Sequence, residues 1–177
     1  MIKNKGTGAG GENTNLNGKP YELETDLETE YILLEKDKKY NKIMFQGSIK
    51  EFIKTTQTQF LQYMNDKKNK NIKNAHGCKN PDECYIDLYS KNIFIIEKKF
   101  QQVNGSVCEK IQTVDFKKWQ YKRLFPDYNI IYIYCLSEWF KKNCEAELEY
   151  LYEKNIPIFY GNDKEYKLNI KNFIINY

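Results

Sequence analysis

The stretch from Pro81 to Gln102, PDECYIDLYSKNIFIIEKKFQQ, constrains the fold more than any other part of this chain. Apolar strands ordinarily end at turn residues. Here Ile93-Phe94-Ile95-Ile96 runs straight into Glu97, Lys98 and Lys99, with no glycine or proline between. A second β-prone run precedes it, and Ser90-Lys91 between the two reads as a two-residue hairpin turn. That turn predicts Asp82 opposite Lys99 and Cys84 opposite Glu97. Strand alternation then puts Asp82, Glu97 and Lys99 on one face and Lys98 on the other. Asp87 is predicted to pair with Phe94 on the opposite face, roughly 10 Å along the strand from Glu97 at ~3.3 Å per residue. The register therefore selects Asp82 over Asp87 as the partner of Glu97, and a one-residue slip would bring in Glu83 instead.

Two carboxylates and a lysine on one face suit a bound divalent cation and a phosphate. Mg²⁺ takes oxygen ligands, usually one or two carboxylates together with waters and a substrate phosphate. Asp82 and Glu97 are the candidate ligands. Lys99 is the candidate to orient or help deprotonate the attacking water, or to stabilise charge on the phosphate. The plainer alternative is a solvated ion pair at a strand end.

Pro81-Asp82, fourteen intervening residues and then Glu97-Lys98-Lys99 resembles the PD-(D/E)xK nuclease superfamily. The wording that follows, EKKFQQVNGSVCEKIQT with an FKKWQY helix and a YNIIYIYCLSEWF strand and helix, resembles its small type II restriction endonucleases. The resemblance covers most of the chain. It implies a restriction-endonuclease-like α/β core, a central mixed β-sheet flanked by helices. It also implies Mg²⁺ as cofactor with Mn²⁺ able to substitute, duplex DNA as substrate, a homodimer, and a separately encoded cognate methyltransferase. In such enzymes a first-helix glutamate in a wording like TNxxGxxFE approaches the metal site. Thr14 to Glu22 looks like that wording, with Tyr21 in place of the phenylalanine, which makes Glu22 a supporting candidate beside the metal. Lys110 and Gln112 resemble the polar residues flanking the site and are supporting candidates too.

Charge is nearly balanced at +4, so any electrostatic attraction to nucleic acid must be local. Lysines cluster at Lys67, Lys68, Lys70 and Lys73, and again at Lys117, Lys118 and Lys122 beside Arg123, the only arginine. Either cluster suits phosphates or simply a solvated face. Gln101, Ser106, Lys117, Lys118, Lys122 and Arg123 are the DNA-binding candidates. With guanine's usual bidentate reader nearly absent, Lys, Asn and Gln would do most base reading.

No apolar run approaches the ~20 residues of a membrane span, and the polar N-terminus lacks the apolar core of a secretory signal, so a cytoplasmic protein is expected. Five cysteines, an odd number, suggest no disulfide framework. His76, Cys78, Cys84 and Cys108 lack the CxxC spacing of a zinc site. Gly6, Gly8 and Gly11 have GxGxxG spacing, but no strand precedes them, so a dinucleotide site is not expected. Residues 1–17 read as a flexible arm and 18–177 as a single domain.

Along that domain, apolar spacing predicts a helix from Gly18 through Tyr21, Leu23, Leu27, Tyr31 and Leu34. A strand over Lys42 to Phe45 follows, then a helix over Ser48 to Met64 with a Ser48/Glu51 capping box. After the hairpin come a helix over Val107 to Leu124, capped by Ser106 and stopped by Pro126, and a buried strand over Tyr128 to Leu136. A helix from Ser137 to Glu153 and a strand over Pro157 to Tyr160 complete the pattern. The apolar tail from Lys167 is ambiguous between helix and strand. A type II restriction endonuclease is the expected function. The alternatives are a structure-selective nuclease of junction-resolvase type and a non-catalytic DNA-binding module on the same fold.

Overall fold

The computed structural model describes residues 12–68, 80–102 and 107–177. It is an α/β sandwich around a seven-stranded mixed sheet whose strands lie in chain order. The strands are β1 (Tyr31–Lys36), β2 (Asn41–Phe45), β3 (Glu51–Thr55), β4 (Glu83–Asp87), β5 (Asn92–Lys99), β6 (Asn129–Leu136) and β7 (Ile158–Tyr160). The first five pair antiparallel, while β5, β6 and β7 run parallel. Parallel neighbours need crossovers, and helices supply them. α3 (Val107–Ile111) and α4 (Val114–Leu124) connect β5 to β6, and α5 (Trp139–Asn143) and α6 (Glu145–Glu153) connect β6 to β7.

These four helices and α2 (Thr58–Lys68) cover one face over a core that includes Phe60, Met64, Ile95, Val114, Phe125, Phe140 and Leu151. α1 (Glu12–Glu24) and α7 (Tyr166–Asn176) lie on the other, over Tyr21, Phe45, Tyr85, Phe94, Ile133 and Ile170. β4, β5 and β6 are covered on both sides, which is why β5 and β6 read as continuous apolar runs, while the buried β4 is bounded by Glu83 and Asp87. No helix among the described residues is long and apolar enough to cross a membrane.

Two expected helices are each part helix and part strand. The stretch expected to be helical to Leu34 leaves α1 at Glu24 and enters β1 at Tyr31. The spacing of Leu23, Leu27, Tyr31 and Leu34 imitates a helical stripe, but Leu23, Ile32, Leu33 and Leu34 are exposed. The stretch expected to be helical from Ser48 to Met64 holds β3 first and becomes helical only at Thr58, where α2 begins. Gly47, at φ 84, turns the chain out of β2 in a conformation that glycine adopts without strain. The Ser48 hydroxyl oxygen then accepts from the Lys50 amide at 3.0 Å, a turn rather than a capping box. β3 was hidden because Lys54, neutralised by ion pairs, interrupts its buried run with a charge.

The expected helix over Val107 to Leu124 breaks between α3 and α4, where the Thr113 hydroxyl donates to the Lys110 carbonyl at 2.8 Å. The helix expected from Ser137 breaks at Cys144. The ambiguous tail is helical, and α1 begins inside the stretch expected to be an arm. Gly6, Gly8, Gly11, Lys70, Lys73, His76, Cys78 and Ser106 lie outside the described residues.

The absence of a disulfide framework was also misjudged. Cys108 and Cys144 are bonded and tie α3 to the α5–α6 junction, with Cα atoms 5.6 Å apart. An odd count hides a pair whose members sit 36 residues apart and meet only once two helices pack side by side.

Candidate active site

The β4–β5 hairpin pairs Glu83 with Ile96 and Ile86 with Ile93, so its loop is longer than the expected two-residue turn and the register differs by two. The Asp87 carboxylate holds the loop by accepting from the Tyr89 and Ser90 amides at 2.8 and 3.1 Å. A two-residue shift keeps every side chain on its face. The expected faces therefore hold, while the opposition of Cys84 to Glu97 does not, because Cys84 pairs with Ile95.

Asp82, Glu97 and Lys99 come together where β5 ends. The Lys99 ammonium lies 2.7 Å from Glu97 Oε1, 3.7 Å from Asp82 Oδ2 and 3.1 Å from the Lys98 carbonyl oxygen. Asp82 is fixed by the Lys98 amide, which donates to Oδ2 at 2.8 Å. Glu97 is held from the helical side. Tyr132 on β6 donates to its Oε2 at 2.9 Å, and Lys117 from α4 reaches Oε1 at 3.3 Å while lying 5.8 Å from the Tyr132 ring centre.

The two acids titrate in opposite directions. Burial alone would raise Glu97, but Lys99 and Lys117, with the hydrogen bonds from Lys99 and Tyr132, bring its carboxyl down to about 2. Asp82 is raised by burial and by the charge on Glu97, which outweigh Lys99 and the Lys98 amide. Glu22 on α1 is raised by burial and then by Asp82, and it feels Lys99 and Lys98 in the opposite sense. Glu22 thus feels the charges of Asp82, Lys99 and Lys98.

Lys98 takes the other face of the sheet, and its ammonium lies 2.8 Å from Glu83 and donates to the Glu22 carbonyl at 2.9 Å. Glu83 also accepts from Tyr85 and lies 3.6 Å from Lys54, which in turn grips Asp26 at 2.7 and 2.8 Å. This buried network fastens α1 to the strand that carries the cluster. A second fastening lies at Tyr21, whose hydroxyl accepts from the Gly161 amide at 3.2 Å and contacts Cys135 Sγ at 3.4 Å. A Cβ at Gly161 would press into Thr25 and the Tyr21 ring, so the chain must be bare there for α1 to seat.

The supporting candidates divide. Gln112 faces away, donating to Glu147 on α6 at 3.0 Å. Lys110 sits on α3, where its carbonyl holds Thr113. Gln101 just beyond β5 is locked through its backbone, its amide donating to Ser137 Oγ at 3.1 Å and its carbonyl accepting from that hydroxyl at 3.0 Å. Lys117, expected on the DNA side, instead grips Glu97. Tyr132 was missed altogether, because a tyrosine in a β-prone run reads as core until β5 and β6 are paired in register.

The oxygens suit a hard divalent cation. Asp82 Oδ2, Glu97 Oε1 and the Lys98 carbonyl already surround one positive charge, and oxygen donors of this kind are those Mg²⁺ selects. Among the described residues the thiols make no competing zinc site: Cys84 and Cys135 are buried in strands, and Cys108 and Cys144 are spent in a disulfide beside Glu147. Compared with protein-family models, curated proteins and solved structures, the chain finds no match.

Proposed function

We propose that this protein is a Mg²⁺-dependent deoxyribonuclease with a PD-(D/E)xK core, working as a type II restriction endonuclease. The observation that carries the reading is the convergence of Asp82, Glu97 and Lys99 at the end of β5, with the Lys98 carbonyl among them. In this reading the protein acts as a homodimer on a short palindrome, in the cytoplasm, beside a separately encoded methyltransferase that protects the same site.

Asp82 and Glu97 would hold the cation, which supplies Lewis-acid polarisation of the scissile phosphate. Glu97 is kept ionised by Lys117 and by the Tyr132 hydroxyl, which also fix its direction. Asp82 is kept in place by the Lys98 amide. Lys99, beside both carboxylates, would orient the attacking water or offset negative charge developing on the phosphate. Glu22 is raised by burial and then by the charge on Asp82, so its charge is linked to that of the site.

Supercoiled plasmid incubated with the protein and Mg²⁺, or with Mn²⁺ as substitute, is expected to give discrete fragments. Asp82→Ala is expected to leave the plasmid whole. Wild type that leaves varied DNA intact with either metal removes the reading.

A further inference from the structure

A cleft of about 490 Å³ lies at the far end of α4, lined by Lys118, Trp119, Lys122, Arg123, Asn129 and Ile130 among others. Its titratable lining among the described residues is wholly cationic. The volume falls within the ~300–1,000 Å³ of small-ligand sites, enough for one nucleotide and too small for a duplex. Trp119 and Phe116 are both about half exposed (52 % and 57 %), although aromatic rings of this size are usually covered. The two rings stack at 5.7 Å with 25° between their planes, and the Arg123 guanidinium lies 5.4 Å from the Trp119 ring centre. The result is a column of flat groups standing in a field of positive charge.

The position of the cleft ties it to the candidate site. Lys117 on the same helix grips Glu97, two residues before Trp119. Glu97 pairs with Tyr134 and Asn92 with Asn129, so the cleft and the cluster lie at opposite ends of the β5–β6 ladder, about 17 Å apart at ~3.3 Å per residue. That span is a few nucleotides of a single strand. Bases inside a duplex have their faces covered by their neighbours, whereas an unpaired base can lie on an indole or a guanidinium plane.

We propose that this cleft holds an unpaired nucleotide of the DNA substrate, its base against Trp119 and its phosphate on Lys118 and Arg123, a few residues from the bond that is cut. The inference rests on the nuclease reading for the placement of the cut, but binding in the cleft is measurable without it.

The test uses full-length protein in EDTA, where no cutting occurs, and a fluorescein-labelled oligothymidine of twelve nucleotides. Single strand is expected to quench tryptophan fluorescence, of which Trp119 is one of two sources. Trp119→Ala is expected to weaken binding about tenfold, within the range of base stacking on aromatic side chains, with Trp119→Phe restoring most of it. An abasic strand of equal length is expected to bind wild type as weakly as the thymidine strand binds Trp119→Ala. This last measurement decides the matter even if the alanine variant folds poorly. Equal affinity of wild type for abasic and thymidine strands overturns the proposal, as does unchanged affinity in a folded Trp119→Ala protein. Asp82-dependent plasmid cutting with no base requirement for binding would keep the nuclease reading and remove the cleft. Base-dependent binding without cutting would do the reverse.

Discussion

Asp82 and Glu97 share one lysine, yet the fold treats them oppositely, and this separates what the site costs from what it contributes. Glu97 is depressed from its ordinary 4.5 to about 2, so it stabilises the fold above about pH 4.5, and that stability is lost as pH falls toward about 2. Asp82 is raised above its ordinary 3.8, so its cost is absent in acid and grows as pH rises through its folded value. Asp82→Asn is therefore expected to abolish cutting, by about a hundredfold or more, while making the protein more resistant to urea at pH 7. The gain should shrink below pH 4, and an equal loss of stability at both pH values would contradict the proposed balance. Glu97→Gln is expected to abolish cutting too, but to destabilise by about 2–4 kcal/mol, because Lys99 and Lys117 lose their shared anion. That figure sits toward the lower end of the range for broken buried pairs, since both lysines keep some solvent.

Among the elements, α1 is the one whose seat decides whether Glu22 matters. It is fastened by Lys98 through the Glu22 carbonyl and by Tyr21 at the bare Gly161 backbone. Gly161→Ala is expected to cost about 1–3 kcal/mol by overpacking and to lower activity by displacing Glu22. If displacement is the route, Gly161→Ala added to Glu22→Ala should lower activity no further, and additive losses in that cycle would refute it. Reducing the Cys108–Cys144 bond reopens a loop of 36 residues' separation and is expected to lower stability by about 3–4 kcal/mol, read as a fall in urea midpoint under dithiothreitol. Neither fastening was legible in the sequence. Gly161 read as the end of a strand, and Lys98 as the lysine turned away from the metal, which is correct for its side chain but omits its amide and carbonyl. β5 and β6 were legible because double burial leaves unbroken apolar runs, and β4 as the β-prone run that precedes β5 across a turn. β1 and β3 were not, because an edge strand with exposed leucines and a strand with a buried lysine both break the patterns that announce strands.

Across the whole molecule, 28 basic side chains nearly offset 24 acidic ones, so affinity for DNA depends on where the cations stand rather than on their number. The sequence placed a cluster on α4, and the fold divides it. Lys117 is turned to Glu97, and Lys122 donates to the Pro126 and Tyr128 carbonyls at 3.0 and 2.7 Å, securing the turn into β6. Lys118 and Arg123 line the outer cleft, where phosphates can reach them. Each phosphate contact releases a counterion, so the slope of log affinity against log salt should fall by about 0.7 when one cation facing a single strand is removed. Lys118→Ala and Arg123→Ala are each expected to flatten the slope by that amount, measured by anisotropy on the fluorescein-labelled oligothymidine in EDTA. Lys36→Ala, on the exposed edge strand β1, should leave it unchanged. If all three variants flatten the slope alike, the protein attracts DNA through diffuse charge, and α4 has no privileged part in holding it.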